Sequence, residues 1–220
     1  MRRIHVLVEG QTEERFVNRL LGPHLLSREV VVTPKIVVTK RAKGGFQFKG
    51  GVVGYRQVRR DIVRLFGDTA VDAVSTMLDY YGLPDDFPGR ASPSPATRDP
   101  EGRARHVEEE LARDLGDRRL IPYVSLHEFE ALLFSDPPAF DAQFPGSRGG
   151  ARVAAIRGSF RSPEEIDEGR ATHPAARLLK LFPDYDKATV GPVMAQRIGL
   201  ERMRAECPHF DGWVSRLETA

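Results

Sequence analysis

Three carboxylates stand out because of what precedes them. Glu9 follows the β-branched run Ile4 to Val8, Asp79 follows the apolar run Val71 to Leu78, and Glu128 comes shortly after Arg119 to Leu126. In an open α/β sheet, ligands bind beyond the carboxyl ends of the strands, so acids far apart in sequence can meet there. Hard oxygen donors of this kind suit Mg²⁺ or Mn²⁺. A divalent ion held there can polarise a phosphoryl oxygen and lower the pKa of an attacking water. Glu9, Asp79 and Glu128 are therefore the expected metal ligands and catalytic groups. Plainer alternatives stand beside that reading: a helix-capping acid for Glu9, and a turn-forming Asp before Tyr80-Tyr81-Gly82 for Asp79.

The segment His127-Glu128-Phe129-Glu130-Ala131-Leu132-Leu133-Phe134 reads as the start of a short helix, with Phe129, Leu132 and Leu133 on a core-facing stripe. On an α-helix Glu128 and Glu130 point about 200° apart. If the segment is already helical at Glu128, both cannot face one ion, so Glu128 is the preferred third ligand and Glu130 a secondary candidate. His127 is another: a metal ligand or proton carrier, or a structural hydrogen-bonding group beside a helix start.

A polyanion contact is expected along Lys40-Arg41-Ala42-Lys43-Gly44-Gly45-Phe46-Gln47-Phe48-Lys49-Gly50-Gly51, continuing to Arg56, Arg59 and Arg60. Glycines let backbone approach phosphates, Lys40, Arg41, Lys43, Lys49 and Arg56 neutralise charge, and the two Phe rings can stack on bases. The alternative is a solvated surface loop. No Gly-Lys-Ser/Thr follows the glycines, so this is not a Walker loop.

The elements that must position these groups alternate. Strands are expected over Ile4–Val8, Val30–Thr39, Val71–Leu78 and Arg119–Leu126, with Pro34 placing the second at an edge or a bulge. Between them fall a helix capped at Thr12, a helix through Val58, Ile62 and Phe66 closed by Gly67, and a helix from Asp99-Pro100 to Leu115. Strands separated by helices predict an α/β fold: a mostly parallel four-stranded sheet flanked by helices. Helical patterns dominate afterwards. Residues 1–136 are expected to form the sheet domain and 137–220 a helical extension packed on it, with Phe210 and Trp213 as anchors of the last helix.

Composition narrows the class. The 220 residues are 40% hydrophobic with a net charge of +2, enough for one good core. Residues 1–60 hold 13 Lys and Arg against 4 Glu, and the rest 20 against 27, a field with a direction unless the halves neutralise each other. One cysteine, Cys207, excludes a disulfide framework and a cysteine-rich zinc site, and without a companion Cys it is a poor candidate nucleophile. The apolar runs are too short to cross a bilayer, and the charged start does not read as a signal peptide. A soluble, cytoplasmic protein with no membrane partner is expected.

Val6-Leu7-Val8-Glu9-Gly10-Gln11-Thr12-Glu13-Glu14-Arg15-Phe16-Val17 resembles the first motif of Toprim domains, the metal-binding Rossmann-like α/β domains of topoisomerases, primases and overcoming-lysogenization-defect nucleases. More closely, Met77 to Pro84, Leu126 to Asp136 and Cys207 to Trp213 resemble domain-of-unknown-function family 4276, over nearly the whole chain. The Toprim resemblance implies an acid/base or metal role for Glu9 and places the first Asp of a Mg²⁺-binding Asp-x-Asp on Asp79. The second Asp is replaced by Tyr81, leaving three routes open: recruitment of Glu128 or Glu130, a single metal, or loss of catalysis. Tyr81 itself can hydrogen-bond a phosphate, stack on a base, or support the turn. The family segment at Tyr185-Asp186-Lys187 implies a lysine there that offsets phosphate charge, with Arg177 a lesser candidate. The activity implied is a Mg²⁺- or Mn²⁺-dependent nuclease acting on DNA or RNA, in bacterial defence or repair. Two alternatives are an effector acting only with an AAA/ABC-type ATPase partner, and a non-catalytic nucleic-acid-binding module.

Overall fold

The computed structural model describes residues 1–41, 47–49, 54–91, 99–166, 169 and 171–220, and of 38–41 and 47–49 the backbone alone. The apolar run at the start forms β1 (Arg2–Val8). It leads into a helical stretch of α1 (Gln11–Phe16), a π turn (Val17–Leu21) and α2 (Gly22–Leu26). Then follow β2 (Val30–Ile36), β3 (Val38–Arg41), β4 (Gln47–Lys49), α3 (Tyr55–Phe66), β5 (Ala73–Asp79), α4 (Pro100–Leu115), β6 (Leu120–Ile121) and β7 (Val124–Ser125). Among the described residues six further α-helices follow: α5 (Ala139–Gln143), α6 (Gly149–Arg157), α7 (Pro174–Leu181), α8 (Val190–Ile198), α9 (Leu200–Glu206) and α10 (Pro208–Thr219).

The main sheet is parallel throughout, in the order β2-β1-β5-β6, with β7 also on β5. β2 is the edge, which is why Pro34 is tolerated: an edge strand leaves one side of its ladder unpaired. In β1, Ile4, Val6 and Val8 join one apolar cluster and Leu7 the other, as strand alternation demands. One face is covered by α1 and α2 together with the helices that follow residue 136, the other by α3 and α4. Trp213 is fully buried in the first cluster, stacked on Tyr123 at 4.4 Å, with its indole N–H donating to Ser75 Oγ at 2.9 Å.

Three local expectations are corrected. The first helix is capped at Gly10, whose N–H donates to Glu13 Oε2 at 2.9 Å; Thr12 already lies inside it, its hydroxyl directed at Lys187 O at 3.4 Å. The second strand stops at Ile36, and Val38–Arg41 instead pairs antiparallel with Gln47–Lys49, so the basic stretch contributes the arms of a hairpin outside the main sheet. The fourth strand is split. Pro122 has no N–H to give, and the gap is closed by Thr76, whose hydroxyl donates to Tyr123 O and accepts from Tyr123 N–H, both at 2.9 Å. Register is kept across the gap, Ser75 opposite Ile121 and Leu78 opposite Val124. The helix read from Asp99-Pro100 stands as expected, with Gly102 N–H donating to Asp99 Oδ1 at 2.6 Å and left-handed Gly116 ending it.

Candidate functional site

Because β1, β5 and β7 run parallel, their carboxyl ends share one rim. Glu9 and Asp79 are neighbours there, Asp79 N–H donating to Glu9 Oε2 at 3.3 Å. Gly82 packs close against Glu9: a Cβ at that position would stand 3.1 Å from Glu9 Oε1. Asp79 is buried, and its Oδ1 accepts Phe129 N–H at 3.0 Å, which fixes the start of the 3₁₀ segment Phe129–Ser135.

Glu128 precedes that segment in extended conformation (φ −156°, ψ 164°), so the α-helical geometry expected to separate it from Glu130 does not apply. Both face the same cation. Lys187 Nζ lies 2.8 Å from Glu130 Oε2, 3.6 Å from Asp79 Oδ2 and 3.9 Å from Glu128 Oε2. Glu128 Oε1 turns the other way, accepting Ala175 N–H at 2.5 Å at the start of α7 and lying 2.9 Å from His173 Nδ1. Tyr185 donates its hydroxyl to Glu130 Oε1 at 3.4 Å. The loop carrying Lys187 is pinned to α1 through Thr12 and through Arg15, whose guanidinium donates to Ala188 O.

The electrostatics follow from burial. Glu130 is fully buried, and desolvation pushes its carboxyl up to about 7 against the pull of Lys187, with Glu128 adding to the rise. Burial likewise holds Asp79 well above the usual carboxylate range; Lys187 opposes, while Glu9, Glu13 and Glu130 reinforce it. Glu9 is raised by burial first, then by Glu13. Burial also pulls on the Lys187 ammonium, but Asp79, Glu130 and Glu128 outweigh it and keep that group above its ordinary value. The Lys187 side chain remains 42% exposed, so the pocket opens to solvent on that side.

Among the described residues no three His, Cys, Asp or Glu side chains stand as a metal-holding group. The space between the acids is taken by the Lys187 ammonium. The donors nonetheless match a hard divalent ion in chemistry, since Glu9, Glu13, Asp79, Glu128 and Glu130 all offer oxygen; the raised carboxyls of Glu9, Asp79 and Glu130 reflect burial first and neighbouring acids after it. For these oxygens to hold a metal, the Lys187 ammonium would have to withdraw from among them.

Of the secondary candidates, Tyr81 is 45% exposed, its N–H donating to His127 O at 3.1 Å and its ring stacked on His173 at 5.6 Å. His127 is buried behind the rim. Arg56 is exposed on α3. Arg177 donates to Thr172 O. Lys43, and the side chains of Lys40, Arg41 and Lys49, lie outside the described residues. Sequence reasoning missed His173 and Tyr185 as neighbours of the acids. His173-Pro174 signals a helix start but not which carboxylate meets it, and Tyr185 carries no local signal beyond its closeness to Lys187.

A parallel α/β sheet with a cluster of desolvated carboxylates at its carboxyl rim defines the class. The family model for a domain of unknown function, DUF4276, matches residues 8–218, and the chain belongs to that family. No curated protein and no solved structure matches it significantly.

Proposed function

We propose that the chain is a divalent-metal-dependent nuclease that hydrolyses phosphodiester bonds of DNA or RNA, as the Toprim resemblance implies. The observation that supports this is the convergence of Asp79, Glu128 and Glu130 around the Lys187 ammonium, with Glu9 beside Asp79. Glu9, Asp79 and Glu128, with Glu130 behind them, would hold Mg²⁺ or Mn²⁺, which supplies Lewis-acid polarisation of the phosphoryl group and a more acidic water when bound. The chain's own residues do the rest. Glu9, raised by burial and by Glu13, is placed to take or return a proton at the rim. Lys187, displaced from the acids, turns its ammonium to the phosphate. Tyr81, exposed beside the pocket, donates its phenol to a phosphate oxygen or stacks on a base.

Purified protein is expected to cut labelled single- or double-stranded DNA or RNA in Mg²⁺ or Mn²⁺ and to stop in EDTA. Glu9→Gln and Asp79→Asn should each lower the rate by about 10²-fold or more. Cleavage that persists in EDTA, or in the double variant, sinks the mechanism.

The ammonium seated among the acids also favours a second reading, an effector whose pocket opens only with an ATPase partner. Full activity from the chain alone counts against it. Salt-sensitive binding without cutting under any condition would select the non-catalytic module instead.

A further inference from the structure

A cavity of about 510 Å³ lies beside the acidic pocket, lined by Tyr80, Tyr81, Arg90 and Arg103. Its chemistry is the reverse of its neighbour's: among the described residues its lining holds two guanidinium groups and no carboxylate. The Arg90 guanidinium lies 4.4 Å over the buried Tyr80 ring, and that of Arg103, from the first turns of α4, lies 5.7 Å from it. Stacking over the ring leaves the in-plane N–H groups of Arg90 facing away from the ring's π face, where they can meet an anion. Arg90 Nε is buried and makes no hydrogen bond among the described residues. A buried donor left unpaired is costly, so this one marks a place where an acceptor is wanted.

The cavity is joined to the acids through two rings. Tyr81 lines it, stacks on His173 with the planes 25° apart, and His173 Nδ1 contacts Glu128 Oε1 at 2.9 Å. Tyr80 and Tyr81 follow Asp79 directly in the chain. An extended polynucleotide with one phosphodiester at the acids would thus bring its next nucleotide against Tyr81 and the arginines.

We propose that this cavity is a nucleotide subsite: a phosphate held by Arg90 and Arg103, with the attached base against Tyr81. The subsite deepens the nuclease reading and rests on it for what lies next door, whereas the preference for a nucleoside phosphate is read from the cavity's own lining. Arginine forks suit phosphate oxygens, and an exposed ring accepts any base.

The test is a metal-free titration in EDTA of the full chain with AMP, adenosine and inorganic phosphate. It is followed by calorimetry and by the NMR signal of the Arg90 side-chain N–H. AMP is expected to bind at least tenfold more tightly than adenosine or phosphate and to shift the Arg90 signal. Arg90→Gln should erase the preference for AMP over adenosine, Arg90→Lys should restore only part of it, and Tyr81→Ala should weaken AMP without affecting phosphate. Each variant is checked for an unchanged melting temperature, with Arg118→Gln as an exposed control that leaves AMP binding unaltered. Equal binding of AMP and adenosine, or AMP binding indifferent to both Arg90→Gln and Tyr81→Ala, overturns the subsite. Because no cleavage is read, a protein that binds AMP as described but never cuts nucleic acid keeps the subsite and loses the nuclease reading; the opposite pattern does the reverse.

Discussion

Lys187 Nζ sits 2.8 Å from Glu130 Oε2, although 57 positions separate the two in the chain and Glu130 is wholly buried. The lysine thereby serves as the resident counter-ion of a pocket that holds more acid than it can neutralise. Anything that binds there as a cation competes with it.

Lys187→Gln removes that competitor. In metal-free buffer Asp79, Glu128 and Glu130 lose their shared cation, and breaking an ion pair with a buried member costs several kcal/mol in the usual case, here reduced because the lysine end meets solvent. The variant should melt lower than the parent without metal. Mn²⁺ should bind it at least tenfold more tightly and recover the loss, as calorimetry and melting curves in parallel would show. A variant that binds no Mn²⁺ removes the pocket from consideration as a cation site.

Stability should fall as pH rises. Glu130 is pushed up to about 7 by burial, and so is Glu164, which accepts the N–H groups of His209 and Phe210 at the head of α10. Groups raised in the folded state hold protons that the unfolded chain has released, so stability declines from about pH 4.3, the ordinary glutamate value, to about pH 7. His209, also raised, adds a loss in the same direction above its ordinary value. The urea midpoint is expected to be lower at pH 8 than at pH 5.5, and Glu130→Gln should flatten the slope. A midpoint that climbs over that interval contradicts the assignment.

Much of the fold is legible locally. Asp99-Pro100 and Gly116 bracket a helix because cap, ring and left-handed glycine each act on their immediate neighbours. Glu9 and Asp79 can be placed at one rim because strand direction alone decides where a parallel sheet ends. What escapes is whatever depends on partners far along the chain. The alternation in Val38–Arg41 and Gln47–Lys49 is masked by lysines and glycines, so the hairpin does not announce itself. Glu130 reads as turned away only on an α-helix, whereas Glu128 is extended and a 3₁₀ segment follows. His173 reaches Glu128 across 45 positions, and no periodicity carries that contact.

Gly82→Ala tests how finely the rim is set. The added Cβ would stand 3.1 Å from Glu9 Oε1, so the carboxylate must yield by a few tenths of an ångström. Gly82 has no left-handed backbone to defend, so the fold should tolerate the methyl, with a melting temperature within a few degrees of the parent. Nucleolytic rate should drop by roughly tenfold or more, since small displacements of catalytic groups cost heavily. An unchanged rate would mean that Glu9 does not act from its present position.

The hydroxyl of Thr76 supports the site from behind. It replaces the ladder bonds that Pro122 interrupts, satisfying both the N–H and the C=O of buried Tyr123, two residues before the end of β7 and five before Glu128. Thr76→Val keeps the shape and deletes both bonds, leaving a buried donor and acceptor unpaired at about 1–3 kcal/mol each. For a chain of this size the melting temperature should fall by roughly 4–24 °C. Thr76→Ser retains the hydroxyl and should lose much less. Because β7 delivers the chain to Glu128, Thr76→Val should also weaken Mn²⁺ binding while Thr76→Ser preserves it. Equal melting temperatures for the two variants would mean that the break at Pro122 is held together by something other than this side chain.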